Sequence, residues 1–311
     1  MGAFVCFAQS ECLPGPPSMS CASTRLERWM PAGGVGACIT EVVNCRFHWL
    51  DMKLLAGFAL LILSFRCMAD PVRVRYIEGV TLGFLVLEDM GGKALAYGEL
   101  NQVVSRKDGV VTDDLRFQFK DGSSYHEVTK FTQEDEFRLV SDHVVQKGAA
   151  FKQNSDILIE AATGTITIKT SKDGKEQVDS KHLDLPPDVC NGLLFTLVKN
   201  LDPAAAETTV TMVAPSTTPR LVKLTIVPAA GTTIGVGLMK HKAEHYIVRF
   251  KIGGVAGIVA HLVGKQPPDM HIWVVKSEAP TFVQSEGPLY EDGPVWRIRL
   301  TAPRQKATNG K

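Results

Sequence analysis

Beyond residue 69 this sequence is almost without cysteine: of seven in the chain, only Cys190 lies there. One thiol cannot close an intramolecular disulfide, so the body of the chain must hold together through its core alone. A surplus of either charge is missing too. The chain carries 34 Lys and Arg against 33 Asp and Glu, and residues 1–69 hold five and four of them, leaving 29 of each beyond. The broad basic surface that gathers phosphates is not signalled, and nucleic acid is excluded as an expected partner. No apolar run reaches the about 20 residues of a membrane-spanning helix. Residues 54–65 are too few, and the Gly-rich "GGVAGIVAHLVG" at 253–264 is too short and broken; the latter reads as a closely packed strand and bend.

Several catalytic and cofactor motifs are absent as well. "GVG" at 235–237 lacks the later glycine and helix of a dinucleotide loop, and Gly264-Lys265 is followed by Gln266 where a phosphate loop needs Ser or Thr. There is no G-x-S-x-G elbow. The acidic run Glu134-Asp135-Glu136 has no EF-hand spacing and reads as a solvated turn. Cys6, Cys12, Cys21, Cys38 and Cys45 contain no C-x-x-C and no paired zinc spacing. No cofactor is expected.

What is present begins at Met52. "MKLLAGFALLILSFRCMADP", residues 52–71, places Lys53 before a dozen apolar residues and then Cys67-Met68-Ala69 ahead of Asp70. Basic start, short apolar core and small residue are the order of a secretory signal cleaved near Ala69. That reading makes the mature chain periplasmic or secreted; a retained anchor and an ordinary buried helix are the alternatives. Phe65-Arg66 before Cys67 is unlike a lipoprotein signal. Residues 1–51, rich in Gly, Pro, Ser and Cys, read as an extension ahead of the real initiator Met52, or as a disordered leader. The expected organisation is therefore extension 1–51, signal 52–69, one β-rich domain 70–303 and a flexible tail 304–311.

Period-two alternation dominates that domain. "LRFQF" sets Leu115, Phe117 and Phe119 against Arg116 and Gln118, and "DILIE" and "TITIK" repeat the scheme with Ile157, Ile159, Ile166 and Ile168. Such segments form half-buried antiparallel strands. "KDG" at 107–109, 120–122 and 172–174 and "ATG" at 162–164 supply turns, Asp-Gly offering the positive φ angles of two-residue hairpins. A meander from about Ala94 to Lys181 follows. "PPDVCNGLLFTLVKNLDP" then spaces Cys190, Leu193, Leu194, Leu197, Val198 and Leu201 at helical intervals, with Asp188 a candidate cap and Pro203 a stop. It predicts an amphipathic helix of three to four turns, with Cys190 an inert thiol on its apolar stripe. Strands resume in "TTVTMV", "PRLVKLTIV", "EHYIVRFKI", "MHIWVVK" and "VWRIRLTA". The expected fold is mainly β: a large curved antiparallel sheet, half-barrel or barrel-like, with one amphipathic helix packed against it.

"HKAEH", His241 to His245, matches the H-x-x-E-H pattern of one zinc-peptidase group, which needs both histidines on one face of a helix and Glu244 beside the metal. The β-branched "YIVRF" that follows argues for a strand, on which His241 and His245 share a face and Glu244 points to the other. A metal held by the two histidines, or two solvent-facing histidines, are then the alternatives. Trp273 and Trp296 alternate with apolar neighbours and, with Leu193 and Leu197, are candidates to line an apolar pocket between sheet and helix; core packing is the plainer role.

"HLDLPPDVCNGLLFTLVKNL", "HYIVRFKIGGVAGIVAHLVGKQPPDMHIWVV" and "FVQSEGPLYEDGPVWRIRL" together resemble a group of uncharacterised exported bacterial proteins. More distantly, they are similar to the half-barrel lipoprotein-carrier and domain-of-unknown-function 3108 type. That resemblance, over about Val72 to Pro303, implies a curved sheet wrapped around helices and acyl chains held in an apolar cavity; a carrier helix ahead of the first strands is missing after Asp70. The leading expectation is a non-enzymatic exported protein binding an apolar or lipid-like ligand. An envelope scaffold using sheet edges is the second, and a metal-dependent hydrolase using His241, Glu244 and His245 the third.

Overall fold

The computed structural model describes residues 71–172, 175–216, 218–236, 239–251 and 267–301. Residues 1–51, the expected signal segment, the whole "GGVAGIVAHLVG" stretch with its flanks, and the tail lie outside them. Among the described residues fourteen strands make one antiparallel sheet. β1 (Thr81–Glu88), β2 (Ala94–Val104), β3 (Val111–Phe119), β4 (Ser124–Gln133), β5 (Phe137–Lys147), β6 (Asn154–Glu160), β7 (Thr165–Lys172) and β8 (Lys175–His182) run outward from the middle of the sheet to one edge. A crossover carrying the helix α1 (Leu194–Asn200) leads to the other edge. From there β9 (Thr208–Ala214), β10 (Arg220–Val236), β11 (Met239–Lys251), β12 (Met270–Val275), β13 (Thr281–Pro288) and β14 (Val295–Thr301) run back until β14 pairs with β1. β8 and β9 remain edges, so the sheet does not close.

The expected meander is β2 to β8, and the alternation that announced it is the burial pattern found: β3 buries every second residue from Val111 to Phe119. The turns differ in detail. Gly109, Gly122 and Gly164 take positive φ, but Asp108 and Asp121 do not; Asp292 alone does so among the described non-glycine residues. The aspartates instead accept the backbone N–H two residues on, Asp108 from Val110 and Asp121 from Ser123 at 2.9 Å. This Asx geometry fits loops longer than two residues, with one left-handed glycine each.

The helix is also shorter than its apolar stripe. Cys190 N–H donates to Thr211 O in a parallel bridge to the β9 edge, and Gly192 at φ +70 turns the chain, so only Leu194–Asn200 is left to coil. Asp188 is not its cap: the buried carboxylate accepts the Thr211 hydroxyl at 2.6 Å and pairs with Lys223 at 3.3 Å. The stripe itself is buried as expected, Leu193, Leu197 and Val198 being 1, 3 and 0% exposed.

The crossover shows how strongly the sheet rolls. Asn191 exchanges two hydrogen bonds with Val213 on β9, while a Cβ on the next residue, Gly192, would lie 1.9 Å from Thr129 Oγ1 on β4. Those strands are nine inter-strand spacings apart in the sheet, roughly 43 Å if it were flat. Only a sheet curled around the crossover brings both within reach of adjacent residues. Its concave face forms one apolar cluster running from Leu85 and Leu87 through Phe117, Phe131, Ile159 and Ile166 to Val210, Leu224, Ile226 and Ile272. Residues 71–80 strap across it: Val72 and Val74 bond the start of β5, and Asn200 Oδ1 accepts the N–H groups of Arg75 and Tyr76 at 2.9 and 2.8 Å.

Candidate functional site

The concave face is not uniformly apolar. Cross-strand register aligns Gln102 on β2, Asp113 on β3, Thr129 on β4 and Asp142 on β5 in one row across the sheet. The next row sets Glu127 between Leu115 and Val144, and the one after it runs Phe117, Tyr125, Gln146 and Ser155. These polar groups stand on the inward face of their strands, Asp113 in the same phase as Val111, Leu115, Phe117 and Phe119. Three carboxyls on three neighbouring strands thus share a floor directly beneath the crossover, whose Gly192 abuts both Thr129 and Asp142.

Few of their bonds are made. Thr129 Oγ1 donates to Asp142 Oδ1 at 2.9 Å, and the Tyr125 hydroxyl donates to Glu127 Oε2 at 3.1 Å. Among the described residues Asp113 Oδ1, Gln146 Oε1 and Ser155 Oγ have no hydrogen-bond partner. At the end of the layer Glu78, from the strap, receives Lys199 of α1 at 2.7 Å and Gln102 Nε2 at 3.2 Å; Lys199 and Glu78 side chains are only 13 and 9% exposed. Burial disfavours charge here: it pushes Asp113 up to about 7, with Glu78 and Glu127 adding to the shift and Lys199 opposing it. Burial, then the charge of Asp142, likewise raises Glu127, and burial raises Asp142 against the Thr129 hydrogen bond. The Cys190 thiol is buried and pushed up by that burial and by Asp188 and Asp142, as an unreactive thiol would be.

The residues singled out from sequence are divided between the two faces. Leu193 and Leu197 are packed into the concave core, so the sheet–helix interface is filled with side chains. Trp296 is there too, beside Phe119 and Tyr290 at 5.6 and 5.9 Å between ring centres. Trp273 belongs to a separate small cluster with Ala243 and Val283, on the convex face. It floors an open cleft of about 390 Å³ with Gln284 and Arg299, walled by residues 232–235 of β10.

His245 stacks on Trp273 at 4.5 Å and meets His271, Nε2 to Nδ1, at 2.9 Å. His241 lies further along β11, opposite Ile234. Glu244 faces the other side, where it accepts the Tyr246 hydroxyl at 2.6 Å and pairs with Lys276 at 3.0 Å. The "HKAEH" segment is strand, so the helical geometry of a zinc peptidase is not formed; among the described residues no group of three or more His, Cys, Asp or Glu is arranged to hold a metal ion.

Sequence reasoning missed Asp113, Glu127, Asp142, Tyr125 and Gln146. In "VTDDLRFQF" and "SYHEVTKFTQ" the signal was phase, a polar residue standing where period two places an apolar one; in "FRLVSDHVVQK" a register shift beside Leu139 moves the inward phase by one residue, so Asp142 and Gln146 fall out of step with Phe137 and Leu139. Comparison of the chain with protein-family models, curated proteins and solved structures found no match.

Proposed function

We propose that this chain is an exported, non-enzymatic binding protein whose rolled sheet takes an apolar or lipid-like ligand along its concave face, in place of the crossover that fills it. One observation carries the reading: an apolar face built from strands across the sheet is covered by one short crossover and a seven-residue helix. The cover is held by its buried apolar stripe, Leu193, Leu197, Val198 and Leu201, and by polar ties from Asn191, Lys199 and Asn200, and its helix has no side-chain N-cap. The polar ties can exchange with water, and an apolar ligand of similar volume would bury the same face that the stripe now covers, which makes the cover a replaceable occupant. The apolar core after Lys53 supports export.

Native mass spectrometry of the chain recovered from an envelope fraction tests both parts. The expected mass begins at Asp70 and carries additional mass that organic extraction removes. Hydrogen exchange at residues 188–201 should quicken when dodecyl maltoside is added. A bare mass, with no exchange response to the detergent, overturns the carrier reading. It would favour an envelope scaffold, for which Ile77, Val80 and Leu82, 79, 79 and 58% exposed near the start of β1, offer an apolar surface.

A further inference from the structure

The carboxyl layer has no role in holding a purely apolar chain. Burying polar groups without partners costs roughly 1–3 kcal/mol each, and an aliphatic tail would satisfy none of them. An anionic head would lie against Asp113, Glu127 and Asp142. We infer that the ligand of this trough bears a cationic ammonium head, received by the layer formed by Asp113, Glu127 and Asp142. The inference rests on the carrier reading and specifies the chemistry of its site.

Three observations support it. Acceptor oxygens stand open: among the described residues Asp113 Oδ1 and Gln146 Oε1 are both unpartnered on side chains 8% exposed, and Gln146 lies directly opposite Tyr125, whose hydroxyl is already given to Glu127. An ammonium brings three donors and no acceptor, which is the complement required.

The chain also presents this chemistry itself. Lys199 extends from the crossover into the same layer and holds both oxygens of Glu78 at 2.7 Å. When the crossover lifts, Lys199 leaves with it, and Glu78, Asp113, Glu127 and Asp142 share the face without a cation. The remaining charged and titratable groups beside the layer come from the crossover and its neighbours: Asp188, Cys190 and Lys223, with Lys223 held to Asp188. None of them supplies a replacement for Lys199. Finally, the described carboxylates are not disposed as a metal cage, so a molecular cation fits the donors better than a bare one.

Calorimetric titration of the full chain with dodecylammonium, dodecanoate and dodecyl maltoside, each below its micellar concentration, decides the matter. Dodecylammonium should bind at least about tenfold more tightly than dodecanoate. Because the carboxyls bind protons at neutral pH, its binding should release protons, seen as a heat that depends on the buffer, and should tighten from about pH 6 to about pH 8. In the Glu127→Gln/Asp142→Asn variant, dodecylammonium should weaken about tenfold while the maltoside is unaffected; if that variant does not fold, the wild-type series of heads decides. Equal affinity for all three heads, or preference for dodecanoate, overturns the cationic head and leaves the carrier reading standing. Failure of all three to bind overturns the carrier reading and this inference with it.

Discussion

Raising the pH should loosen this fold before any lysine or tyrosine titrates. Asp113 sits at about 7 in the folded chain against an ordinary value of 3.8, and Glu127 and Asp142 are displaced in the same direction. A carboxyl raised in this way holds its proton more tightly folded than unfolded. Its stabilising share is complete below about pH 4 and is lost as the pH climbs through the folded value. For Asp113 alone the ceiling is about 4 kcal/mol, and relaxation of the site would reduce it. Groups acting in the opposite sense titrate lower. His245 is held below 6.5 by burial and by His271, so its share grows as the pH rises toward neutrality and then stops. Asp108 and Asp121, lowered by hydrogen bonds, act only below about pH 4. Urea unfolding, followed by tryptophan fluorescence from about pH 5 to about pH 8, should therefore show a midpoint that falls as the pH climbs toward the folded values and levels off above them, with an unchanged slope. Asp113→Asn should flatten that fall. A midpoint that stays level or rises between about pH 5 and about pH 7 would refute the argument, as would an undiminished fall in the variant.

Two further predictions test how the crossover is held. Lys199→Met leaves Glu78 buried without its cation and should cost roughly 3–5 kcal/mol, whereas Lys199→Met/Glu78→Gln should recover most of it; equal losses in single and double variants would show that the pair is not coupled. Gly192→Ala must fit a Cβ 1.9 Å from Thr129 Oγ1 at φ +70, whereas Gly109→Ala at φ +69 meets nothing within 4 Å. Both should lose about 1–2 kcal/mol to backbone strain, and Gly192→Ala about 1–3 kcal/mol more to overpacking; matching losses would mean that the crossover does not press on β4.

The two-residue period made the meander legible, because each half-buried strand writes its two faces into alternate residues. The same rule held Asp113 and Glu127 in view, yet Asp113 stands beside Asp114, and the register shift in β5 takes Asp142 out of phase with Phe137 and Leu139. Only register shows that they align, and register across β2 to β5 is a property of pairing rather than of any one segment. The His245–His271 contact was hidden for the same reason, its partners lying 26 residues apart on neighbouring strands. Helix length was overestimated because the apolar spacing of Cys190 and Leu193 serves burial equally well in a bridge and a turn; the glycine between them, at positive φ, is what separates the two uses.

The sheet begins in its own middle, and this has a consequence for how the chain folds. β1 to β8 and β9 to β14 are each ladders of sequence neighbours, whose contacts are local and quick to form. The seam between them, β1 against β14, joins residues as distant as Glu88 and Arg299, which meet in a two-point ion pair 211 positions apart. Closing a loop of that size costs only about 0.6 kcal/mol more than closing one half as long, so the cost falls on rate more than on final stability. Two preformed ribbons meeting edge to edge would make this seam the slow step of folding, and the place where the finished sheet parts first when pulled by its ends.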